Sequence, residues 1–223
     1  MIRAVLFDLD GTLADTAPDL AGALNRLLAE RGAPPIPYEQ ARPVTSSGAR
    51  GMIKVGLGIE PDHPEYESLK DRFLEHYQAA ICQDTLLFDG VPALLDELDR
   101  LAIGWGIVTN KHHRFTEPLV RALGLYERCR CIVSGDTAAR PKPYPDPLLH
   151  AAHAIDLAPA ACLYVGDDLR DVQAARAAGM PVLAARYGYL GIGNDADPVT
   201  WEADAIIDDP REVLNYLRCA PSM

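Results

Sequence analysis

Two aspartates separated by one residue stand near the start of the chain, directly after a short apolar run. Residues 4–7 are Ala-Val-Leu-Phe, and Asp8 and Asp10 follow, with Gly11 next to Asp10. A carboxylate can act as a nucleophile or as a general acid–base group. Because open α/β sheets bind ligands beyond the carboxyl ends of their strands, the pair predicts a reactive site rather than a surface Asp-Gly turn.

Three further groups that can carry chemistry follow later in the chain: a hydroxyl, a lysine and a second acidic cluster. The hydroxyl and the cluster each come directly after an apolar run, and the lysine lies among four prolines, which restrict its backbone. They are Thr109 after residues 105–108, Lys142 within residues 140–147, and Asp167, Asp168 and Asp171 after residues 162–165. Strand ends that meet at one sheet edge would bring these groups to the aspartate pair.

The hydropathy pattern predicts the elements that must position these groups. Short apolar runs typical of buried parallel strands alternate with stretches that carry apolar residues at helical spacing, such as Leu94, Leu95 and Leu98. The predicted strands cover residues 4–7, 105–108, 131–133, 162–165, 182–185 and 205–207. This alternation predicts an α/β fold with a Rossmann-like, mostly parallel sheet flanked by helices.

One segment interrupts the alternation of strands and helices. Residues 16–83 carry helical stripes of apolar residues and no convincing buried strand. Thr16 is predicted to N-cap the first helix, with Pro18 in its first turn, and further helices are expected near 48–55 and 65–81. The predicted organisation is a Rossmann-like catalytic core at residues 1–15 and 84–223 and a small α-helical cap, inserted after the first strand, at residues 16–83.

Taken in order, the four motifs resemble those of the haloacid dehalogenase (HAD) superfamily. Residues 8–12 resemble its DxDGT motif, Thr109 its hydroxyl motif, Lys142 the lysine of its KPxPD motif, and residues 166–171 its GDxxxD element. Four motifs in this order are highly specific, and they extend over most of the chain. The helical insertion resembles the small cap of the phosphoglycolate phosphatase-like branch of that superfamily.

Within that branch the chain most resembles N-acetylmuramic acid 6-phosphate phosphatases. This finer resemblance depends on several short segments spread over the insertion and the core. They are Gly48-Ala49-Arg50, Thr109-Asn110-Lys111, Arg114-Phe115, Glu117-Pro118, residues 166–171 and residues 186–189.

The resemblance implies a phosphatase that works through an aspartyl-phosphate. Asp8 would be the nucleophile, since it is the first residue past the strand. Asp10 would protonate the leaving alkoxide and then deprotonate the attacking water. Thr109 would donate a hydrogen bond to the phosphoryl group, and Lys142 would supply a fixed positive charge to that group and to the nucleophile.

The resemblance also implies Mg²⁺, which offsets the repulsion between an anionic substrate and the carboxylates. Asp8 and Asp167 are the predicted side-chain ligands, and the backbone carbonyl of Asp10 is the third. Asp171 is expected to orient a water on the metal without contacting the metal itself. Asp168 either helps to position the motif lysine or N-caps the following helix.

Four residues are predicted to bind the substrate: Asn110, Lys111, Arg50 and Gly11. Asn110 and Lys111 would lie near the phosphate, and the Gly11 amide could donate to a phosphoryl oxygen. Arg50, which follows small residues of the cap, could bind a substrate carboxylate through two parallel hydrogen bonds. The patterns around Lys111 and Arg50 are equally typical of solvent-exposed side chains.

The composition excludes several other classes of protein. The chain of 223 residues has 32 acidic and 21 basic residues, a net charge of −11, which argues against nucleic acid or an anionic membrane as partner. Five cysteines without metal-type spacing and the absence of a secretory signal pattern indicate reduced thiols in the cytoplasm. The expected partner is a small phosphorylated metabolite.

Two other functions share parts of this pattern. A phosphosugar mutase of the same superfamily would turn over a bisphosphate without net release of phosphate. A receiver-like phospho-acceptor domain of signalling pairs similar residues around Mg²⁺, but its acceptor follows an internal strand and no insertion follows its first strand. The favoured prediction is a Mg²⁺-dependent phosphatase acting on 2-phosphoglycolate or N-acetylmuramic acid 6-phosphate.

Overall fold

The computed structural model describes residues 1–217 as a parallel sheet with helices on both faces and a helical insertion. The strands are β1 (Ala4–Phe7), β2 (Ala14–Asp15), β3 (Leu86–Leu87), β4 (Gly104–Val108), β5 (Ile132–Val133), β6 (Cys162–Gly166), β7 (Val182–Ala185) and β8 (Ala205–Ile207). The α-helices are α1 (Ala17–Glu30), α2 (Tyr38–Ala41), α3 (Gly48–Leu57), α4 (Tyr66–Ala79), α5 (Val91–Arg100), α6 (His113–Ala122), α7 (Asp146–Ala154) and α8 (Leu169–Ala178). None of the helices within this described range is long and apolar enough to cross a membrane.

The main sheet has six strands in the order β5-β4-β1-β6-β7-β8, and every neighbouring pair is parallel. The direction in which strands are added reverses at β1, and open α/β sheets bind ligands in the crevice at such a point. The predicted Rossmann-like α/β fold is therefore confirmed, as are the six predicted strands.

Three central strands end at the same level of the sheet. Phe7, the last residue of β1, pairs with Ile107 of β4 on one side and with Val165 of β6 on the other. Because the strands are parallel and in register, the residues that follow them leave the sheet side by side. This register places the motifs together although about 160 residues separate the first from the last.

Both faces of the sheet are buried, which explains the continuous apolar runs. Val5 and Phe7 belong to the hydrophobic cluster that includes side chains of α5 and α6, whereas Ala4 and Leu6 belong to the cluster that includes side chains of α7 and α8. All four are at most 1% exposed. Burying a large apolar side chain contributes about 1.5–3 kcal/mol, so the central strands form a rigid base for the site.

The helices α1 to α4 and a 3₁₀ segment, Arg42–Ser47, make up the insertion. They share a hydrophobic cluster that contains Leu24 of α1 and Phe73 of α4. Phe115 of α6 also belongs to this cluster, and its ring centroid lies 5.5 Å from that of Tyr77 on α4. The insertion therefore packs on the rest of the chain through an aromatic contact next to the end of β4.

A short antiparallel ribbon joins the two points where the chain enters and leaves the insertion. Ala14 and Asp15 of β2 pair with Leu87 and Leu86 of β3. The buried carboxylate of Asp19 accepts hydrogen bonds from three successive backbone amides of the returning chain, at residues 83–85, over 2.9–3.1 Å. The hydropathy pattern did not predict this ribbon, because each of its strands has two residues.

The first helix of the insertion begins as predicted, but its cap differs. Thr16 occupies the N-cap position of α1, and Pro18 lies in the first turn. The Thr16 hydroxyl makes no capping hydrogen bond and donates instead to the Asp10 carboxylate, at 2.5 Å. The predicted side-chain cap is wrong: Thr16 has α-region backbone angles (φ −92°, ψ −4°), whereas a capping residue typically has β-region angles that bring its side-chain oxygen to the first free amides of the helix.

Candidate active site

Asp8 lies at the end of β1 and is 9% exposed. Its Oδ1 accepts one hydrogen bond, from the Leu9 amide at 2.8 Å, and lies 3.0 Å from the Lys142 ammonium. Burial, reinforced by the charges of Asp171 and Asp10, raises the pKa of Asp8 to about 7 against the lowering effect of Lys142. The carboxylates around Asp8 thus carry more negative charge than Lys142 compensates.

Lys142 is buried beside Asp8, with 4% exposure. Its Nζ lies 2.6 Å from Asp171 Oδ1 and donates to the Tyr164 hydroxyl at 2.9 Å and the Val108 carbonyl at 3.1 Å. Burial alone would lower the pKa of Lys142, but the Asp171 and Asp8 carboxylates raise it above the ordinary range. The lysine is therefore a fixed cation, as the motif predicts.

Sequence reasoning missed Tyr164, because a tyrosine inside an apolar strand is typical of a core residue. Its hydroxyl oxygen lies 2.9 Å from Val108 O and 3.1 Å from Asp171 Oδ1, so its one proton is shared between these two acceptors. A buried hydroxyl needs such partners. The useful indication in the sequence is a hydroxyl within a run that is otherwise wholly apolar.

Asn110 holds the backbone of Lys142. Its Nδ2 donates to the Lys142 carbonyl and its Oδ1 accepts from the Lys142 amide, both at 2.9 Å. The sequence predicted that this side chain binds substrate. In the structure both ends of its amide are engaged with the lysine loop, which favours a positioning role.

Replacing Asn110 with alanine is expected to lower kcat about 10- to 100-fold and to change KM less than about threefold, since the lysine loop loses both restraints. Steady-state kinetics on p-nitrophenyl phosphate would measure this. Asn25→Ala is a matched control, because its amide makes the same two-sided pair with Ile36 in the insertion. A larger effect on KM than on kcat would contradict a positioning role.

Asp8, Asp167 and Asp171 form a buried cluster whose candidate ligand atoms all lie within 4.8 Å of one another. Burial, together with the charges of Asp8 and Asp171, raises the pKa of Asp167 well above its usual range. Carboxylate oxygens at this spacing suit a hard divalent cation, whose charge would offset the repulsion. The donor set therefore fits the metal that the sequence resemblance implies.

Close packing of the first motif against Asp167 explains a glycine in that motif. Gly11 has φ +85°, and a Cβ there would lie 2.1 Å from Asp167 Oδ2. Its amide donates to Ala14 O at 3.0 Å within the turn. The structure thus uses Gly11 for close approach, and its predicted hydrogen bond to a phosphoryl oxygen would require that turn contact to change.

Asp171 and Asp168 are held by the start of α8. Asp168 N-caps this helix by accepting from the Arg170 amide at 2.9 Å, and it also binds the Arg170 guanidinium through both oxygens. Asp171 Oδ2 accepts from the Asp168 amide at 3.1 Å, which completes a capping box. The structure therefore favours the N-cap interpretation of Asp168, and it leaves Asp171 with partners on both oxygens.

Asp10 lies beside Asp8 and is bound by two donors. The Lys111 ammonium contacts both of its oxygens, at 2.9 and 3.1 Å, and Thr16 donates to one of them. Lys111 also lies 4.8 Å from the centroid of the Tyr77 ring. With a side chain 9% exposed, Lys111 belongs to the site, and the solvent-exposed alternative for this residue is wrong.

Thr109 follows β4 and is 2% exposed. Its Oγ1 accepts from the Lys111 amide at 3.1 Å, and among the residues described it donates to no acceptor. The hydroxyl proton is therefore available to a ligand bound above Asp8.

A cavity of about 720 Å³ opens between the insertion and this edge of the sheet. Its volume is in the range of small-molecule sites. The polar residues at its floor are Asp8, Asp10, Thr109 and Lys142, and apolar side chains along its wall are Leu20, Phe73, Leu74, Tyr77 and Phe115.

Arg50 is not among the residues that line this cavity. Its side chain is 68% exposed and its guanidinium lies 3.9 Å from Glu60, which Lys54 also contacts at 2.6 Å. The structure therefore brings the other sequence-predicted residues together and leaves Arg50 on the outer surface of α3.

Comparison with known proteins decides the family. The family model described as haloacid dehalogenase-like hydrolase matches residues 5–185. The chain belongs to this family. Its membership confirms the sequence resemblance and sets aside the receiver-like alternative.

Curated relatives of this HAD-like hydrolase are named phosphatases. It is 43% identical over 216 residues to the N-acetylmuramic acid 6-phosphate phosphatase of Pseudomonas aeruginosa, covering 97% of this chain and 95% of the relative. It is 46% identical over 211 residues to the phosphoglycolate phosphatase of Xanthomonas campestris pv. campestris, covering 95% and 94%. The prediction of a HAD-type phosphatase is confirmed at this level.

Solved structures of the same family share the fold. A predicted phosphoglycolate phosphatase from Haemophilus somnus matches with a TM-score of 0.84 and 27% identity, covering 96% of this chain and 97% of that one. CbbY from Rhodobacter sphaeroides, solved in complex with phosphate, matches with a TM-score of 0.73 and 26% identity over 96% of both chains. The insertion is thus part of a shared architecture.

Proposed function

We propose that this HAD-like hydrolase is a Mg²⁺-dependent phosphatase that hydrolyses a small phosphate monoester through an aspartyl-phosphate on Asp8. The observation that carries the proposal is the placement of Asp8 at the floor of the cavity, 3.0 Å from Lys142 and within the carboxylate cluster. An anionic nucleophile next to a fixed cation is suited to attack on a phosphoryl group.

The proposed reaction has two steps. An oxygen of Asp8 attacks phosphorus while the ester bond breaks, and the leaving oxygen takes a proton from Asp10. Asp10 then takes a proton from water, which attacks the same phosphorus, so that phosphate leaves and the Asp8 carboxylate is restored. Lys142 and the Thr109 hydroxyl bind the phosphoryl oxygens, and Lys111 holds the Asp10 carboxyl in position.

Asp8, Asp167 and the backbone carbonyl of Asp10 would hold the Mg²⁺ ion. When bound, the ion supplies positive charge that offsets the repulsion between the substrate phosphate and the carboxylates. Asp171 has partners on both oxygens and fits a position outside the direct ligand set.

The proposed substrate is 2-phosphoglycolate or N-acetylmuramic acid 6-phosphate, the esters for which two relatives are named. We further propose that residues 16–83 act as a cap that selects the substrate. Contacts of Ser46 help to join this segment to the catalytic edge: the Arg170 guanidinium donates to Ser46 O at 2.8 Å, and Ser46 Oγ lies 3.4 Å from Asp167. Closure over the cavity would exclude water from the reacting atoms.

A phosphate-release screen over about a hundred metabolite phosphates tests this function, with Mg²⁺ present and with excess EDTA. We expect release from at least one small ester, and loss of at least about 99% of the activity in EDTA, because the carboxylate cluster then keeps its uncompensated charge. Mg²⁺ should also raise the unfolding temperature of the wild type, and Asp167→Asn should reduce that shift.

Two results would count against the proposed function. Full activity in excess EDTA would exclude the metal dependence. Turnover of a sugar bisphosphate without net phosphate release would favour the phosphosugar mutase.

A further inference from the structure

Most of the lysine and arginine side chains that line the cavity already have a carboxylate partner. Lys142 contacts Asp8 and Asp171, whereas the other paired cations contact one carboxylate each. Those pairs are Lys111 with Asp10, Arg170 with Asp168 and Lys70 with Glu67. Within residues 1–217 the guanidinium of Arg114, which lines the same cavity, has neither a hydrogen bond nor an ion pair.

Arg114 is nevertheless supported by its surroundings. It lies in the first turn of α6, five residues after Thr109, and its guanidinium is 4.5 Å from the centroid of the Phe115 ring. Phe115 is 4% exposed and packs on Tyr77 of the insertion. A planar cation stacked on a fixed aromatic ring is partly preorganised while its donors stay free.

We propose that Arg114 is a specificity-determining residue that binds a carboxylate of the substrate while the phosphoryl group lies at Asp8. This inference rests on the proposed phosphatase function and names the substrate class as phosphate monoesters that carry a separate carboxylate. A guanidinium binds a carboxylate through two parallel hydrogen bonds. Binding at Arg114 breaks no existing ion pair, whereas binding at Lys111 or Arg170 would break one.

The wall of the cavity that α4 forms also affects how the substrate is oriented. Asp71 of α4 also lines the cavity, and within the described part of the chain its carboxylate has no hydrogen bond or ion pair. Its charge disfavours an anion on that wall, and its oxygens can accept from a hydroxyl or an amide N–H. The carboxylate of the substrate is therefore directed to the α6 wall, and its uncharged polar groups face α4.

Two matched pairs of esters test the proposal. N-acetylmuramic acid 6-phosphate differs from N-acetylglucosamine 6-phosphate by its lactyl ether group, which carries the carboxylate, and 2-phosphoglycolate carries a carboxylate where 2-hydroxyethyl phosphate carries a hydroxymethyl group. The pair to use is the one whose carboxylate ester the wild type hydrolyses more efficiently. For that ester Arg114→Gln is expected to lower kcat/KM about 10- to 100-fold, chiefly by raising KM. The partner ester should change less than about threefold, and Arg114→Lys should retain part of the preference.

Three control variants complete the experiment. Arg121→Gln, on the same helix but paired with Glu117, should leave both esters unchanged. Asp71→Asn should leave the preference for the carboxylate ester intact or increase it. Arg50→Gln tests the competing cap arginine and should not alter the preference.

Equal losses on both esters in Arg114→Gln, or loss of the preference in Arg50→Gln alone, would overturn this proposal and leave the phosphatase function standing. Absence of phosphate release from every ester in the wild type would overturn the proposed function and this inference with it. Arg114 is exposed, so the variants should unfold at the wild-type temperature. If Arg114→Gln misfolds, the preference for the carboxylate ester is measured in Arg114→Lys instead.

Discussion

Replacing Asp8 with asparagine is expected to lower kcat by about four orders of magnitude or more and to leave the fold intact. Asparagine has the shape of aspartate, and its carbonyl oxygen can still accept from the Leu9 amide and from Lys142. The neutral amide cannot attack phosphorus to form an acyl-phosphate, so the reaction loses its first step. Phosphate release under single-turnover conditions would measure the loss.

Asp8→Asn should also stabilise the metal-free protein, whereas a variant that folds poorly would be less stable than the wild type. In the metal-free protein the pKa of Asp8 is raised from 3.8 to about 7, so the folded state binds this proton more tightly than the unfolded state. The carboxyl therefore destabilises the fold increasingly as pH rises from about 4 to 7, and fully above that range. Asp8→Asn removes the effect, and its unfolding temperature in EDTA at pH 8 should exceed that of the wild type.

Asp62→Asn, an exposed aspartate of the insertion, is the control and should change neither kcat nor stability. A loss of kcat of only a few-fold in Asp8→Asn would remove Asp8 as the nucleophile. The next candidate nucleophile would be Asp10, which lies beside Asp8 and whose carboxylate is bound by Lys111 and Thr16.

The elements that position the site were predictable because each obeys one local rule. Strand β1 is buried on both faces, so its residues form an unbroken apolar run that stops at Asp8. Parallel strands then require their carboxyl ends to meet, which is why Thr109 and Asp167 were predicted to lie beside Asp8. The ribbon of β2 and β3 was missed, because two residues per strand carry no measurable period.

Side-chain direction was harder to predict than position. Arg50 follows small residues in the sequence, yet its place on α3 turns it toward Glu60, and Arg114 lines the cavity instead. The hydroxyl of Thr16 takes the Asp10 carboxylate as its acceptor, six residues earlier in the chain. Such choices depend on which groups neighbouring elements bring close, and a single sequence contains that information only through its fold.

Replacing Lys142 with methionine is expected to lower kcat about 1,000-fold or more and to destabilise the protein by about 3–5 kcal/mol. Methionine fills a similar volume but leaves the buried carboxylates of Asp8 and Asp171 without their cation. Removing one partner of a buried pair costs more than the pair itself contributes. Denaturant unfolding in EDTA and phosphate release with Mg²⁺ would measure the two effects.

A double variant separates the two effects of Lys142. Lys142→Met combined with Asp171→Asn removes one of the uncompensated charges, so much of the lost stability should return while activity stays low. Lys54→Met, which breaks a surface pair with Glu60 outside the cavity, should cost less than about 1 kcal/mol and serves as control. Recovery of activity together with stability in the double variant would mean that Lys142 acts by holding the fold, and that the positive charge at the phosphoryl group comes from another residue.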